Sequence, residues 1–172
     1  YIAGRVEKRD SEKSEVMFFE KKDDRYEVVS TPKLTLQDPF VTYIDNELIL
    51  GGVNVTWGDG INTETTWKTD FYKIHSLTDF EYITCGPSHM KDVRLLQLPN
   101  KKIAVMSRPQ GGEIWEKFGA IARIGFTIVD KLSDLTPEVI KNAPYFEGQF
   151  LDDEWGGSNQ LINLSNGLIG VI

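Results

Sequence analysis

The sequence is poor in the residues that carry metal and thiol chemistry. Among 172 residues there is one cysteine, Cys85, and there are two histidines, His75 and His89. A disulfide within the chain and a cysteine-based zinc site are therefore impossible, and two histidines so far apart do not make a zinc triad. A lone thiol fits a reducing compartment, so a cytoplasmic location is the expectation. Basic residues are also in deficit: 19 Lys and Arg stand against 26 Asp and Glu, for a net charge of -7. A binder of phosphate backbone needs a basic face, so no nucleic-acid partner is expected. A small phosphate-bearing ligand stays open, because a few local arginines suffice for it. No apolar run approaches a membrane span, and no membrane partner is expected. Gly111-Gly112 is not followed by Gly-Lys-Ser or Gly-Lys-Thr, which excludes a phosphate-binding P-loop there.

What is present is a folding domain with 40% hydrophobic and 26% charged residues, and its strands repeat. Asp24, Asp79 and Asp134 close turns between aromatic or β-branched runs at a constant interval of 55 positions. A second landmark alternates with these. Asp38, Asp92 and Ser158 are each followed eight residues later by an asparagine in a turn (Asn46, Asn100 and Asn166), and then by an apolar strand. Two landmarks in alternation describe one antiparallel unit used about three times. The expected fold is all-β, a β-propeller with about three blades, in a single partial domain over 1–172 that is open at both ends. A sandwich is the other architecture, but it does not call for a repeat. Leu135 to Ile140 reads as the last strand of the third unit. Thr136-Pro137 within it also carries the signature of a helix start.

A propeller brings the start of each innermost strand to a central funnel, so Asp38, Asp92 and Ser158 are expected to line one cavity. Asp38 opens the hairpin Gln37 to Leu50, and Pro39 after it predicts an extended Asp38. Asp92 and Arg94 alternate onto one face of an extended strand. Arg108, at the far end of the same hairpin, converges with Arg94 on an anion. His89 and Lys91 lie in the same segment. Arg5 precedes a charged run and points inward from its strand. The loop Asn54 to Lys68 carries Trp57 and Trp67, either as a rim for a sugar ring or as packing on the sheet below. Arg108 to Gly119 reads as a flexible loop whose glycine pair lets backbone approach a ligand. Asp152-Asp153-Glu154-Trp155-Gly156-Gly157 forms the third funnel entrance, where carboxylates beside tryptophan and glycine suit carbohydrate.

Six segments together resemble one known family: Tyr1 to Glu7, Gln37 to Phe40, Met90 to Leu95, Ser107 to Gly111, Ile124 to Thr127 and Glu154 to Gly157. It is a bacterial and protozoan family long described as of unknown function, with members that act as β-1,2-mannosyltransferase/phosphorylases. That family is similar to the inverting β-mannoside phosphorylases, which are five-bladed propellers. Their Glu-Asp-Pro-Arg segment corresponds to Gln37-Asp38-Pro39-Phe40, and the departures at Gln37 and Phe40 bear on donor or acceptor choice. The resemblance implies that two further blades lie outside this chain and that Asp38 is the catalytic acid/base. It implies that Arg94 and Arg108 hold phosphate, with Lys91 or Arg5 assisting. Asp92 would then bind sugar hydroxyls or position Arg94, and Arg5, Glu154 and Trp155 would contact substrate. No metal or cofactor is implied. Inorganic phosphate or a sugar nucleotide is the co-substrate, and mannosides or mannose-containing oligosaccharides are the partners. Two readings compete with this one. The first is an inverting hydrolase using Asp38 with a second acid, Asp92 or Asp152; the other is a non-catalytic sugar-binding propeller.

Overall fold

The computed structural model describes residues 1–151 and 154–172. Just over half of the chain, 53%, is strand and 9% is helix, so the class is all-β, and no closed barrel forms among the described residues. The first sheet joins β1 (Ile2–Glu7), β2 (Ser14–Lys22) and β3 (Arg25–Leu34). In β2 the side chains of Ser14, Val16 and Phe18 are buried in alternation, the period of a strand with one face on a core. An antiparallel meander follows: β4 (Gln37–Ile44), β5 (Glu47–Thr56), β6 (Thr66–Ser76) and β7 (Asp79–Cys85). A second begins with β8 (Met90–Gln97), β9 (Ile103–Pro109) and β10 (Gly125–Val129). One parallel bridge, Lys68 to Met90, ties the two meanders together. The hairpin β11 (Leu161–Asn163) and β12 (Ile169–Val171) comes last.

The repeat read from the sequence is visible in this order. Asp45 and Asn46 form the two-residue turn between β4 and β5, both at positive φ (51° and 64°), as a tight hairpin with the native strand twist requires. The turns at Asn100 and Asn166 sit at the same point of the later units. Strands β1, β4, β8 and β11 lie side by side in that order. Each therefore brings one end to a shared face of the molecule.

The main core lies between the two meanders. Phe40, Ile49 and Phe71 from one face Val93, Val105 and Ile103 from the other, closed off by Ile140. Phe40 lies across Gly51 so closely that a Cβ there would meet the ring at 2.0 Å, which explains why β5 carries a glycine at its centre.

Three expectations are corrected. Leu135 to Ile140 is not a fourth strand: a 3-10 turn, Leu132–Asp134, leads into α2 (Pro137–Lys141). Thr136 caps α2 by accepting from Val139 N–H at 3.2 Å, and Pro137 occupies the first turn, so the local helix signal prevails over the repeat. The segment after Arg108 is not a plain loop either, because it contains α1 (Gly112–Phe118). Third, Asp38 is not extended but has φ 47°. Proline disfavours the right-handed helical region for the residue before it, and a strand irregularity at this point sends Asp38 to positive φ instead. No helix of the described residues is long and apolar enough to cross a membrane.

Candidate active site

Two matching irregularities build the site. The pairing of β4 with β5 shifts register between Gln37 and Phe40, and that of β8 with β9 shifts between Lys91 and Arg94. At each shift an aspartate takes positive φ, Asp38 at 47° and Asp92 at 55°. Aspartate is among the few residues with a side chain that tolerate this conformation, which accounts for the same residue type at both places. The residue before each aspartate and the aspartate itself part company. Gln37 and Lys91 line a cavity of about 180 Å³, whereas Asp38 and Asp92 line another of about 280 Å³ with Arg94, Arg108, Gly157, Ser158 and Asn159.

Asp92 is held between two arginines. Arg108 Nη1 forms an ion pair with its Oδ2 at 2.9 Å, and Arg94 Nη2 lies 3.8 Å from its Oδ1. Arg94 is 3% exposed. Its Nε donates to the carbonyl of Asn159 at 2.8 Å, and its guanidinium lies 5.0 Å above the Phe40 ring. The contacts of its two Nη atoms are longer, 3.3 Å to the Val93 carbonyl and 3.5 Å to the Asp38 carbonyl. Those N–H groups are weakly engaged, and a bound anion can accept hydrogen bonds from them. Burial lowers the pKa of Arg94, Asp92 and Asp38 oppose that, and Arg108 adds to the lowering. An anion in the cavity would relieve the same charge crowding.

Arg108 is also buried. Its Nη2 donates to Gln110 Oε1 at 3.2 Å, the indole of Trp155 lies 5.4 Å from its guanidinium, and its Nε has no partner among the described residues. Gly157 passes directly over the pair: a Cβ there would stand 2.8 Å from Arg108 Cδ and 3.0 Å from Asp92 Oδ2. Only glycine lets that backbone close the cavity without moving the ion pair.

Asp38 has a different setting. Its carboxylate accepts from Arg5 Nη1 at 2.9 Å and is 37% exposed. The Nε and Nη2 of Arg5 both donate to Glu7 Oε2, at 2.9 and 2.6 Å. Burial acts to lower the pKa of Arg5, but the hydrogen bonds to Asp38 and Glu7 outweigh it, so the guanidinium stays charged. Arg5 thus holds Oδ1 of Asp38, a residue that lines the cavity.

The structure therefore brings Asp38, Asp92, Arg94, Arg108 and Ser158 to one cavity, with Arg5 on Asp38 and Trp155 on Arg108. The hydroxyl of Ser158 is turned to Met106 Sδ, at 3.2 Å. Lys91 pairs with Arg108 across β8 and β9 but lines the neighbouring cavity. Glu154 is exposed and folds back on the Leu151 N–H at 3.2 Å, away from the anion cavity. Asp152, the other candidate second acid, lies outside the described residues. The sequence reading placed Gly157 at the third funnel entrance but gave no role to Glu7, to the close approach of Gly157 or to the Asn159 carbonyl. Glu7 was within reach, since it stands two residues from Arg5 on the same strand face. The other two become partners only through folding. The arrangement places a carboxylate held by Arg5 beside two buried arginines, and among the described residues no three His, Cys, Asp or Glu side chains gather to hold a metal.

Comparison with known proteins follows the same direction. The family model described as "Protein of unknown function (DUF1861)" matches residues 1–172. No curated protein matches the chain. Among solved structures, the chain is similar to MPT-4, a mannose phosphorylase from Leishmania mexicana in complex with phosphate ion. That match has 38% identity and a TM-score of 0.81, over 98% of this chain and 50% of that one. It is similar to MPT-1, a GDP-Man-dependent mannosyltransferase from Leishmania mexicana, at 36% identity and TM-score 0.80, covering 99% and 51%. A hypothetical protein from Leishmania major matches at 35% identity and TM-score 0.77, covering 98% and 51%. The chain spans about half the length of each of these structures.

Proposed function

The chain belongs to the family described as "Protein of unknown function (DUF1861)", and from that premise we propose that it is part of a mannosyl-transferring enzyme: an inverting β-1,2-mannoside phosphorylase/mannosyltransferase. The observation that carries the reading is the single cavity that Asp38 shares with Arg94 and Arg108. In phosphorolysis Asp38 protonates the glycosidic oxygen, directly or through a sugar hydroxyl. Phosphate, held by the two arginines, attacks the anomeric carbon from the opposite face and leaves as mannose 1-phosphate. In the reverse direction Asp38 takes the proton of an acceptor hydroxyl as it attacks mannose 1-phosphate or a sugar nucleotide. Asp92 fixes the arginines rather than moving a proton. The phosphate-bound mannose phosphorylase and the GDP-Man-dependent transferase among the similar structures support this chemistry for the present site.

In this reading the side-by-side strands β1, β4, β8 and β11 are parts of successive blades of a propeller around the cavity. The hydrolase reading needs a second carboxylate free to act on water. Asp92 is a poor candidate, because Arg108 already occupies its Oδ2. The test is to incubate the full-length protein with a β-1,2-mannobiose and inorganic phosphate. Phosphate-dependent release of mannose 1-phosphate is expected. Release of free mannose at a rate independent of phosphate would establish the hydrolase instead.

A further inference from the structure

Away from the anion cavity, the last two strands of the first meander collect reactive groups on one face. Lys68, Asp70 and Tyr72 alternate along β6, and the pairing with β7 sets Cys85 opposite Asp70 and Tyr82 opposite Tyr72. The chemistry proposed above uses none of them. Lys68 Nζ donates to Cys85 Sγ at 3.5 Å and lies 3.8 Å from Asp70 Oδ1. Asp70 is 2% exposed. Its Oδ2 accepts from Asn54 at 2.6 Å, but its Oδ1 has no hydrogen-bond partner among the described residues. A buried carboxylate oxygen left without a partner is costly, and this one faces an amine that already touches a thiol. Burial and a hydrogen bond to Cys85 push the Tyr82 hydroxyl well up, so it meets the sulfur as a neutral phenol.

A thiol oxidised by a hydroperoxide becomes a sulfenic acid, whose sulfur is then attacked by a nearby nucleophile or oxidised further without return. Cys85 is half-buried and the Lys68 side chain is 41% exposed, so a small oxidant reaches the pair. The nucleophile within reach is the Lys68 amine, already at a reacting distance from Sγ.

We propose that Cys85 is a peroxide-responsive modification site, and that Lys68 captures its oxidised form in a reversible sulfur–nitrogen bond. In the first step the thiol takes one oxygen from hydrogen peroxide: sulfur is oxidised, the O–O bond breaks and water leaves. In the second, Lys68 passes its ammonium proton to Asp70 Oδ1 and the free amine attacks Sγ. The S–N bond forms as the S–O bond breaks, and the hydroxide leaves as water with a proton from the nitrogen. Asp70 then returns its proton to solvent. A dithiol restores thiol and amine and is itself oxidised to a disulfide. The bond forms where the chain turns toward β8. Lys68 stands between Trp67 and Thr69, whose carbonyls accept from the N–H groups of His89 and Gly86 at 2.7 Å each, the two ends of the connector 86–89. The bond therefore staples that connector at its base and shelters the sulfur from irreversible oxidation.

The test exposes the full-length protein, folded and in urea, to hydrogen peroxide and reads tryptic peptides by mass spectrometry. A linked peptide joining Lys68 to Cys85, lighter by two hydrogens than its free parts together, is expected in the folded protein and should vanish with dithiothreitol. Lys68→Arg keeps a cation beside Asp70 but offers no such nucleophile, so the link is lost and Cys85 goes on to sulfinic acid. Asp70→Asn should form the link about tenfold more slowly or worse, while dimedone traps the sulfenic acid at the unmodified rate. Sulfinic acid at Cys85 of the unmodified folded protein with no link overturns the proposal. So does a link that forms equally in urea, or a Cys85 that stays reduced under a peroxide excess that fully oxidises free glutathione. Equal linking rates in Asp70→Asn overturn the proton step given to Asp70. None of these readouts depends on mannoside turnover.

Discussion

The β4 and β8 irregularities use one backbone device for two purposes. Both put an aspartate at positive φ where the first strand of a unit leaves the cavity. Asp38 then meets one guanidinium, itself shared with Glu7, and is left partly open. Asp92 meets two guanidiniums under the lid of Gly157 and is 15% exposed. In the proposed mechanism the first exchanges a proton, while the second is the counter-charge between two arginines. Repeated backbone geometry therefore did not repeat the surroundings. The neighbours made the difference: Arg5 comes to Asp38 from β1, outside its meander, and Arg108 comes to Asp92 from β9 of the same hairpin.

The sharpest way to break this comparison is to remove the transferable proton. Asp38→Asn is expected to lower kcat for mannoside phosphorolysis by about 10²–10⁴-fold with little change in thermal stability. If Asp92→Asn causes the larger loss of kcat, the two roles are reversed. Next in size is the anion site. Arg108→Ala should raise the KM for phosphate by about 10–100-fold, the worth of about 1.5–3 kcal/mol for a charge-assisted hydrogen bond. Initial rates at varied phosphate and at saturating mannoside check it. Asp92→Ala leaves Arg94 and Arg108 crowded and uncompensated, and about 3 kcal/mol of unfolding free energy should be lost in urea titration, against less than about 1 kcal/mol for Asp38→Ala. A smaller loss is expected in Gly157→Ala. Its new methyl must displace the Arg108–Asp92 pair, which should cost about 1–3 kcal/mol and weaken phosphate use more than mannoside binding. The smallest effect belongs to Arg5→Met, where Asp38 loses its orienting partner but keeps its proton. A fall of about tenfold or less in kcat is expected, with KM for phosphate unchanged.

The parts of the site legible in the sequence share a cause. Asp38, Asp92 and Ser158 recur at one point of a strand repeat, and a repeat carries equivalent positions to equivalent places, so one cavity collects all three. Arg94 and Arg108 were legible because they stand at the two mouths of one hairpin. Lys91, next to Asp92 in sequence and given a part in phosphate binding only by the family resemblance, lines the other cavity. The positive φ of Asp38 was hidden because Asp-Pro read locally as an extended pair. The register shift that overrides this depends on β5, which a local reading does not include. α1 was hidden for a similar reason: Gly111-Gly112 suggests a loop, and Ile114, buried at 5% exposure, shows what holds the helix in place.

Local pattern alone settled the all-β class, the hairpin turn at Asp45-Asn46 and the cap at Thr136, because turn conformation and capping are decided by a few neighbouring residues. The different surroundings of two similar aspartates were settled only in three dimensions. Whether a carboxylate exchanges a proton or holds a charge depends on which cations surround it. Arg94 shares β8 with Asp92 and Arg108 stands across the hairpin, whereas Arg5 reaches Asp38 from β1, a strand that meets β4 only in the folded chain.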